Sequence, residues 1–450
     1  MKNEEYKGLD FGGGSIRKLF RVVFFPTLAA MVFDALFVMV DGIFVGHGIG
    51  ASGIAAISIV SPLFAVVSGT GLMFGIGASV LASISLSRKC HSEANNTVTQ
   101  AFTVGTLLML VVAVTLYFFA ENIVSFLGGS ATLQAYSVRY LCWLLPGVVF
   151  LMLQYVGMML IRLDGSPKYA MLCNVIPGVI NVFLDWLFIF PLGLGLKGAA
   201  MATSVSCILG GSMALFYFLR LSEVLRFTRL RLAFSGLADT LRNTASIMKI
   251  GFATLLTELA MSVMLFTANK TLIKMLGDNG VAAFSVACYL FPFLFSVNNA
   301  VAEAVQPIVS FNFGAGDMAR VKKALRTAVV AALICGIIEV VAISGGARYL
   351  VMMFLASGTE PFELACAGLP EFALCGIFFA LNIVFIGYFQ SVKESTKATV
   401  FTLLRGMIFV VPCLRLLPEL IGISGFWLAI PVSEALTLLV IFLVYCANRK

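Results

Sequence analysis

Residues 29–46 read AAMVFDALFVMVDGIFVG, a stretch apolar enough to cross a membrane except for Asp34 and Asp41. A carboxylate at the centre of a membrane helix costs roughly 3 kcal/mol even on the lenient insertion scale. A second apolar stretch, further along the chain, carries Asp185. Because packing alone does not compensate such a cost, the default interpretation of a membrane-embedded acid is an ion or substrate pathway. These acids direct the search for function to the membrane interior.

The composition is that of a polytopic membrane protein. Of the 450 residues, 60% are hydrophobic and 12% are charged, whereas soluble domains carry about 25% charged residues. The net charge of +8 does not indicate nucleic-acid binding, because the basic residues follow a membrane topology. The sequence contains no P-loop, no Ser/His/Asp set and no zinc-ligand spacing, so we expect neither enzymatic activity nor a cofactor.

Hydropathy predicts an all-α fold with twelve membrane-spanning helices of about 20 residues or more. The predicted spans are 19–45, 54–86, 98–119, 138–160, 169–190, 199–219, 246–276, 281–311, 327–350, 370–390, 399–418 and 425–446. When the N-terminus is placed in the cytoplasm, 23 of the 30 Lys and Arg residues fall on the cytoplasmic side. This bias follows the positive-inside rule, so we expect both termini in the cytoplasm.

The two halves of the chain are related by an internal repeat. Residues 49–64 realign with residues 276–291 at an offset of 227, which pairs Gly50 with Gly277. A later stretch realigns at an offset of 229 and pairs Gly193 with Gly422, among other residues. Because each half has an even number of helices, the halves share one orientation in the membrane. They are then related by an axis along the membrane normal, with a site between or within them.

The repeat predicts two lobes joined by a linker. The N-terminal lobe comprises residues 1–219, the cytoplasmic linker residues 220–245 and the C-terminal lobe residues 246–450. The linker region is basic and interleaved with apolar residues. Both an amphipathic surface helix and a simple covalent tether are compatible with this pattern.

The repeat also provides an internal control for the acids. Asp41 realigns with Ala268, and Asp185 realigns with Leu414. The second half of the scaffold therefore forms without carboxylates at these positions. A function that resides in the first half explains the two acids better than a structural requirement does.

Four oxygen-bearing side chains are predicted to converge in the outer third of the first lobe. Asp41 lies about one turn from the outer end of its span, and Asp185 lies at a similar depth with Asn181 one turn below it. Thr203 is about one turn into the next span. Such a set can share a proton between its two carboxylates or ligate a small hard cation such as Na⁺. The structural alternative is that the carboxylates cap helix ends or face a water-filled cavity.

Three further acids are candidates for a substrate cavity. Asp34 lies two turns deeper than Asp41 on nearly the same face, and Glu258 and Glu303 belong to the second half. Buried acids that face a central cavity attract organic cations. The alternative for the second-half acids is an ion pair with Lys249 or Arg320 near the cytoplasmic interface.

Other polar residues within the spans are more typical of hydrogen bonding between helices than of a site. They are Gln154, Asn298, Asn299, Gln306, Glu339, Asn382, Arg405 and Glu434.

Several motifs carry a resemblance to a known family. The run VDGIFVG at residues 40–46 resembles the first helix and loop of the multidrug and toxic compound extrusion (MATE) transporters. The segments EAVQP at residues 303–307 and NFGAGD at residues 312–317 are similar to the bacterial MepA-type branch of that family. The resemblance covers roughly residues 15–447.

The resemblance implies a fold and a function. Two six-helix lobes would form a V and rock between outward- and inward-facing states. A monomer in the bacterial cytoplasmic (inner) membrane would export small organic cations or amphipathic drugs in exchange for H⁺ or Na⁺. Asp41, Asn181, Asp185 and Thr203 match the family's ion site in the first lobe. Glu258 matches an acid that sodium-coupled members use in the second lobe.

The chain departs from those sodium-coupled members in helix 10. Where they carry an aspartate, residues 370–390 contain only Glu371 at one edge, and Asn382 is the nearest polar residue. We therefore do not expect sodium coupling through the second lobe.

Two other classes of protein compete with the exporter. A lipid-linked precursor flippase of the same wider superfamily would favour additional helices and a basic cavity, whereas the membrane-embedded charges here are mainly acidic. A channel or structural membrane protein would leave the duplication and the paired acids unexplained.

Overall fold

The computed structural model describes residues 9–127, 131–228 and 234–447, and within these ranges all regular secondary structure is helical. Apolar membrane segments form helices because lipid offers no partners to backbone N–H and C=O groups. Helices 1 to 6 comprise Ile16–Gly48, Ala51–Ser87, His91–Phe118, Ala131–Leu163, Pro167–Ile189 and Gly195–Phe216. A short helix, Ala120–Phe126, precedes helix 4, and a π-helical turn, Tyr217–Leu221, extends helix 6.

The second half begins with the element Phe234–Gly314, whose backbone leaves the helical conformation at Gly277. A Cβ atom placed on Gly280 would lie 3.3 Å from Leu272 Cδ2, although residues eight apart in a straight helix are separated by about 12 Å. The chain therefore reverses at Gly277 and forms helix 7 (234–276) and helix 8 (278–314).

The remaining helices follow the same pattern. Helix 9 is Met318–Met352, and helix 10 consists of Glu360–Ala373 and Cys375–Ser391. Helices 11 and 12 run from Ser395 to Ala447, with a π-helical turn at Leu404–Ile408 and a reversal at Ile421 and Gly422. Ten apolar segments of the described chain are long enough to cross a membrane. Two of them reverse, which gives the twelve predicted crossings.

The turns between helices repeat the same backbone geometry in both halves. Gly50 and Gly277 have φ values of 86° and 60°, and Gly193 and Gly422 have values of 59° and 67°. These are the glycines that the sequence repeat pairs. L-residues other than glycine rarely adopt positive φ. The duplication is therefore visible in the backbone as well as in the sequence.

The outer surface of the bundle is apolar in continuous stripes. On helix 9, Val330, Ile334, Ile337 and Val341 are each at least half exposed, and their spacing places them along one face. A stripe of this kind faces lipid in a membrane protein, whereas it would be an interaction or aggregation surface on a soluble one.

The two halves pack against each other at the predicted cytoplasmic end. Gly251 leaves no room for a side chain, because a Cβ atom there would overlap the backbone oxygen of Met73. Ser79 Oγ donates to Gln306 Oε1 (3.2 Å), and Arg88 Nε donates to the backbone oxygen of Gly314 (3.4 Å). Small residues permit this close approach of helices from opposite halves.

The segment that follows helix 6 is docked onto the first half. Asp164, which is buried, accepts hydrogen bonds from Tyr217 Oη (2.7 Å) and from the backbone N–H groups of Glu223, Val224 and Leu225 (3.0, 3.0 and 2.6 Å). The helical element that becomes helix 7 already begins at Phe234, so the predicted boundary at residues 245 and 246 falls inside a helix. The predicted lobe boundaries remain a prediction.

Parts of the predicted organisation lie outside the described residues. These are residues 229–233 of the linker and the basic residues Lys2, Lys7, Arg229, Arg231, Arg449 and Lys450, which contribute to the predicted charge bias.

Candidate functional site

Helices 1 and 5 bring Asp41 and Asp185 together. Their carboxyl groups are neighbours and act on each other electrostatically. The Asp185 side chain is 0% exposed, and neither of its oxygens, nor Oδ1 of Asp41, receives a hydrogen bond from a described residue. No ion pair found among the described residues involves either acid. The pair therefore carries no compensating positive charge from the part of the chain that is described.

The other two residues of the predicted set lie beside this pair. Asn181, one turn below Asp185, has a buried Nδ2 atom without an acceptor in the described chain. Thr203 Oγ1 donates to the backbone oxygen of Ala199 (3.1 Å), which leaves its lone pairs free to accept. Asp41, Asn181 and Thr203 line one cavity, whereas Asp185 is not part of its wall.

The cavity has a volume of about 280 Å³ and lies within the first half. Its wall combines aromatic and aliphatic side chains with a few polar groups, the usual composition of a small-molecule pocket. The residues that line it include Asp34, Phe37, Asp41, Val60, Phe64, Tyr140, Tyr155, Asn174, Asn181 and Thr203. The predicted candidate Asp34 therefore shares a cavity with the predicted ion site.

Sequence reasoning missed Asn174. Its Nδ2 donates to the backbone oxygen of Ala30 (3.1 Å), and its Oδ1 accepts from Gln154 Nε2 (3.3 Å). It lines the same cavity as Asp34. The spacing in the sequence could have indicated this residue, because Asn174 precedes Asn181 by seven residues, as Asp34 precedes Asp41. Residues seven apart fall on one helix face, so helices 1 and 5 present two polar layers at matching heights.

The second-half candidates lie elsewhere. Glu258 and Glu303 line a smaller cavity of about 70 Å³ between the two halves, together with Asn299 and Gln306. The candidate acids are therefore divided between two sites, one within the first lobe and one between the lobes.

The alternative prediction that Glu303 pairs with Lys249 or Arg320 is wrong. Its partner is Arg162, at the end of helix 4, whose Nη1 donates to Glu303 Oε2 across the lobe boundary. Arg320 instead donates to the backbone oxygens of Phe11 (3.0 Å) and Gly14 (2.9 Å). The sequence could not indicate the Arg162 pair, because its members lie 141 positions apart on helices of different halves.

Buried polar residues of the second half are satisfied mostly by each other. Arg405 Nε donates to Glu434 Oε1 (3.0 Å), and Asn382 Nδ2 donates to Glu434 Oε2 (2.7 Å). Asn298 Nδ2 donates to both carboxylate oxygens of Glu339. These contacts confirm the predicted role of these residues in hydrogen bonding between helices.

The positions that realign with the paired acids are apolar and fully buried. Ala268 and Leu414 are both 0% exposed and belong to the hydrophobic core of the second half. The same backbone scaffold thus forms an apolar core in one half and an acid pair beside a cavity in the other.

Two related six-helix halves around membrane-embedded acids are the architecture of a secondary transporter. A family model, MatE, matches the chain twice, over residues 26–187 and 253–414, and the two matches begin 227 positions apart, as the sequence repeat does. The chain belongs to the MatE family.

Similar proteins span most of the chain. A multidrug export protein MepA from Staphylococcus haemolyticus (strain JCSC1435) is 24% identical over 452 residues and covers 100% of this chain and 97% of its own length. The MepA protein of Staphylococcus aureus (strain MW2) is 23% identical, with coverage of 93% and 91%.

Solved structures share the fold. A multidrug resistance MATE family transporter of the MOP superfamily in an outward-facing conformation superposes with a TM-score of 0.91 at 22% identity, and the match covers 98% of each chain. A MOP superfamily transporter from Pyrococcus furiosus, described as having a binding pocket of reverse polarity, superposes with a TM-score of 0.89 at 21% identity over 98% of each chain. The twelve-helix, two-lobe fold is therefore that of the MATE transporters.

Proposed function

We propose that the chain is a secondary active multidrug exporter that exchanges cationic or amphipathic organic compounds for H⁺ or Na⁺. The observation that carries the proposal is the Asp41–Asp185 pair, in which Asp185 is fully buried and Asp41 is half-buried, and which has no ion-pair partner in the described chain and lies beside a cavity in one lobe. Related proteins described as multidrug export proteins support drug-like substrates. Transport rather than catalysis is the activity.

In this proposal the acid pair holds the coupling ion. Two neighbouring buried carboxyl groups are costly if both are ionised, so one proton or one small cation stabilises the pair. Asn181 and Thr203 supply further oxygens at the same site. Exchange follows if ion and drug favour different arrangements of the lobes, since a ligand shifts a conformational equilibrium only through differential affinity.

The coupling ion, the topology and the assembly are part of the proposal. Both termini lie in the cytoplasm of a bacterial cell, and the monomer works in the cytoplasmic membrane. With that orientation the contacts between the lobes close the cytoplasmic side, which corresponds to an outward-facing state.

The charge of the cavities favours organic cations over the lipid-linked precursors of the alternative. Asp34 and Asp41 line the first cavity, and Glu258 and Glu303 line the second. A pyrophosphate group would meet carboxylates at both sites. Among the described residues, the linings of the two cavities contain no Lys or Arg, and Arg162, which contacts Glu303, is already paired with it.

Expression in a drug-sensitive bacterial host tests the proposal. We expect the full chain to raise the inhibitory concentration of ethidium and of other organic cations several-fold, and Asp41→Asn to abolish the increase. Asp278→Asn, which alters an exposed acid at the start of helix 8, is the matched control. A well-expressed wild type that protects against no cation would contradict the exporter function.

A further inference from the structure

The Arg162–Glu303 ion pair joins the two lobes at a buried position. Arg162 ends helix 4 of the first half, and Glu303 lies on helix 8 of the second half. Their side chains are 3% and 8% exposed. Nη1 of Arg162 donates to Glu303, whereas Nη2 is buried and has no acceptor in the described chain. The guanidinium therefore pairs with Glu303 but leaves part of its hydrogen-bonding capacity unused.

Glu303 also belongs to the wall of the cavity between the lobes. Glu258, Asn299 and Gln306 line the same cavity. Its volume of about 70 Å³ is far below the roughly 300–1,000 Å³ of pockets that bind drug-sized molecules. In this arrangement of the lobes, the cation next to Glu303 is Arg162, and a drug-sized cation does not fit.

Separation of the lobes on this side must break the pair, because each half contributes one member. Glu303 would then be a membrane-embedded carboxylate without its counter-ion. Loss of one partner from a buried ion pair is strongly destabilising, because the remaining charge is left uncompensated. An organic cation that enters the widened cavity can supply the missing charge.

We propose that Arg162 is a tethered cation that competes with the transported cation for Glu303. When the lobes separate on this side, the substrate cation replaces Arg162 at the Glu303 carboxylate. When the lobes close again, Arg162 returns to Glu303 and displaces the substrate toward the other side. The inference rests on the proposed export function and adds to it a specificity-determining residue, which favours cationic over neutral amphiphiles.

Equilibrium binding to the purified full-length protein tests the exchange. We expect Arg162→Met to bind ethidium about tenfold more tightly, the factor that ~1.4 kcal/mol represents, because the competing cation is gone. Nile red, a neutral amphiphile, should bind wild type and variant equally. Arg162→Lys keeps the charge and should retain wild-type affinity for ethidium.

The matched control is Arg88→Met. Arg88 is exposed and also bridges the lobes on the same side, but its acceptor is the backbone oxygen of Gly314 rather than a carboxylate. If the ion pair were only a latch, both substitutions would loosen the lobes and change ethidium and Nile red affinities alike. That result, or an unchanged ethidium affinity in Arg162→Met, would overturn the proposal.

A variant in which the two charges are swapped distinguishes competition with the substrate from simply holding the lobes together. The double variant Arg162→Glu/Glu303→Arg restores an ion pair between the lobes but places a cation in the cavity wall. We expect it to fail to export ethidium, although it elutes as folded protein on size exclusion. Export at the wild-type rate would show that the pair acts only as a latch.

Failure of the exporter function gives a different result. Wild-type protein that neither binds nor exports ethidium would overturn both proposals. If the wild-type protein exports ethidium and Arg162→Met leaves the ethidium affinity unchanged, the proposed export function stands. Only the proposed competition between Arg162 and the substrate is then overturned.

Discussion

The carboxyl groups of Asp41 and Asp185 are neighbours, although they belong to helices that begin about 150 residues apart. The corresponding positions of the second half, Ala268 and Leu414, pack as core. The fold thus contains the same structural position twice, once as an acid pair and once as apolar packing. This asymmetry is the main reason to place ion coupling in the first lobe.

The glycine turns make a prediction for stability. Gly277→Ala forces a side chain into a backbone region that is nearly exclusive to glycine, at a cost of about 1–3 kcal/mol. We expect the thermal midpoint, followed by tryptophan fluorescence, to fall by about 1–3 °C. Gly345→Ala is the control, because this helix 9 glycine has open space around it and alanine favours the helix. Equal midpoints for the two variants would contradict the assigned turn geometry.

Closure of the lobes depends on Gly251. A methyl group at this position would overlap the backbone oxygen of Met73, so Gly251→Ala should hold the lobes apart. We expect the variant to lose ethidium export and to lower the yield of a disulfide between Ser79→Cys and Gln306→Cys.

The cross-linking experiment requires a background in which the ten native cysteines are replaced. Gly345→Ala again serves as the control and should leave the yield unchanged. A wild-type yield in Gly251→Ala would show that the lobes tolerate the methyl group, and would contradict the close packing.

The docked segment after helix 6 depends on Asp164. Asp164→Ala removes the acceptor of three backbone N–H groups and of Tyr217 Oη, and each unsatisfied donor costs about 1–3 kcal/mol. We expect residues 222–228 to detach, so that limited trypsin cleavage after Arg226 becomes faster. Asp239→Ala, at an exposed acid of helix 7, should cleave at the wild-type rate. Equal rates in the two variants would contradict the docking.

Sequence patterns were informative wherever one helix carries the relevant geometry. Hydropathy predicted the twelve spans, and the sequence repeat pairs Gly50 with Gly277, which both adopt positive φ in the structure. The observed helices extend beyond several predicted spans, for example His91–Phe118 against 98–119. Polar turns at the ends of helices continue the backbone hydrogen bonding without contributing to hydropathy.

Contacts between helices were harder to predict. The rotation of helix 4 against helix 8 decides that Glu303 meets Arg162 rather than Lys249 or Arg320, and no local pattern encodes that rotation. Asn174 was missed for a different reason. Its seven-residue spacing from Asn181 was visible, but only the packing of helix 5 against helix 1 places it in the same cavity wall as Asp34.

Ethidium transport in proteoliposomes tests the central claim, that the Asp41–Asp185 pair carries the coupling ion. Wild type, Asp41→Asn and the control Asp278→Asn are compared under a pH gradient and, separately, under a sodium gradient. We predict that one gradient drives transport in the wild type and in Asp278→Asn, and that Asp41→Asn loses this response while it still binds ethidium. Gradient-driven transport by Asp41→Asn at the wild-type rate would contradict the account.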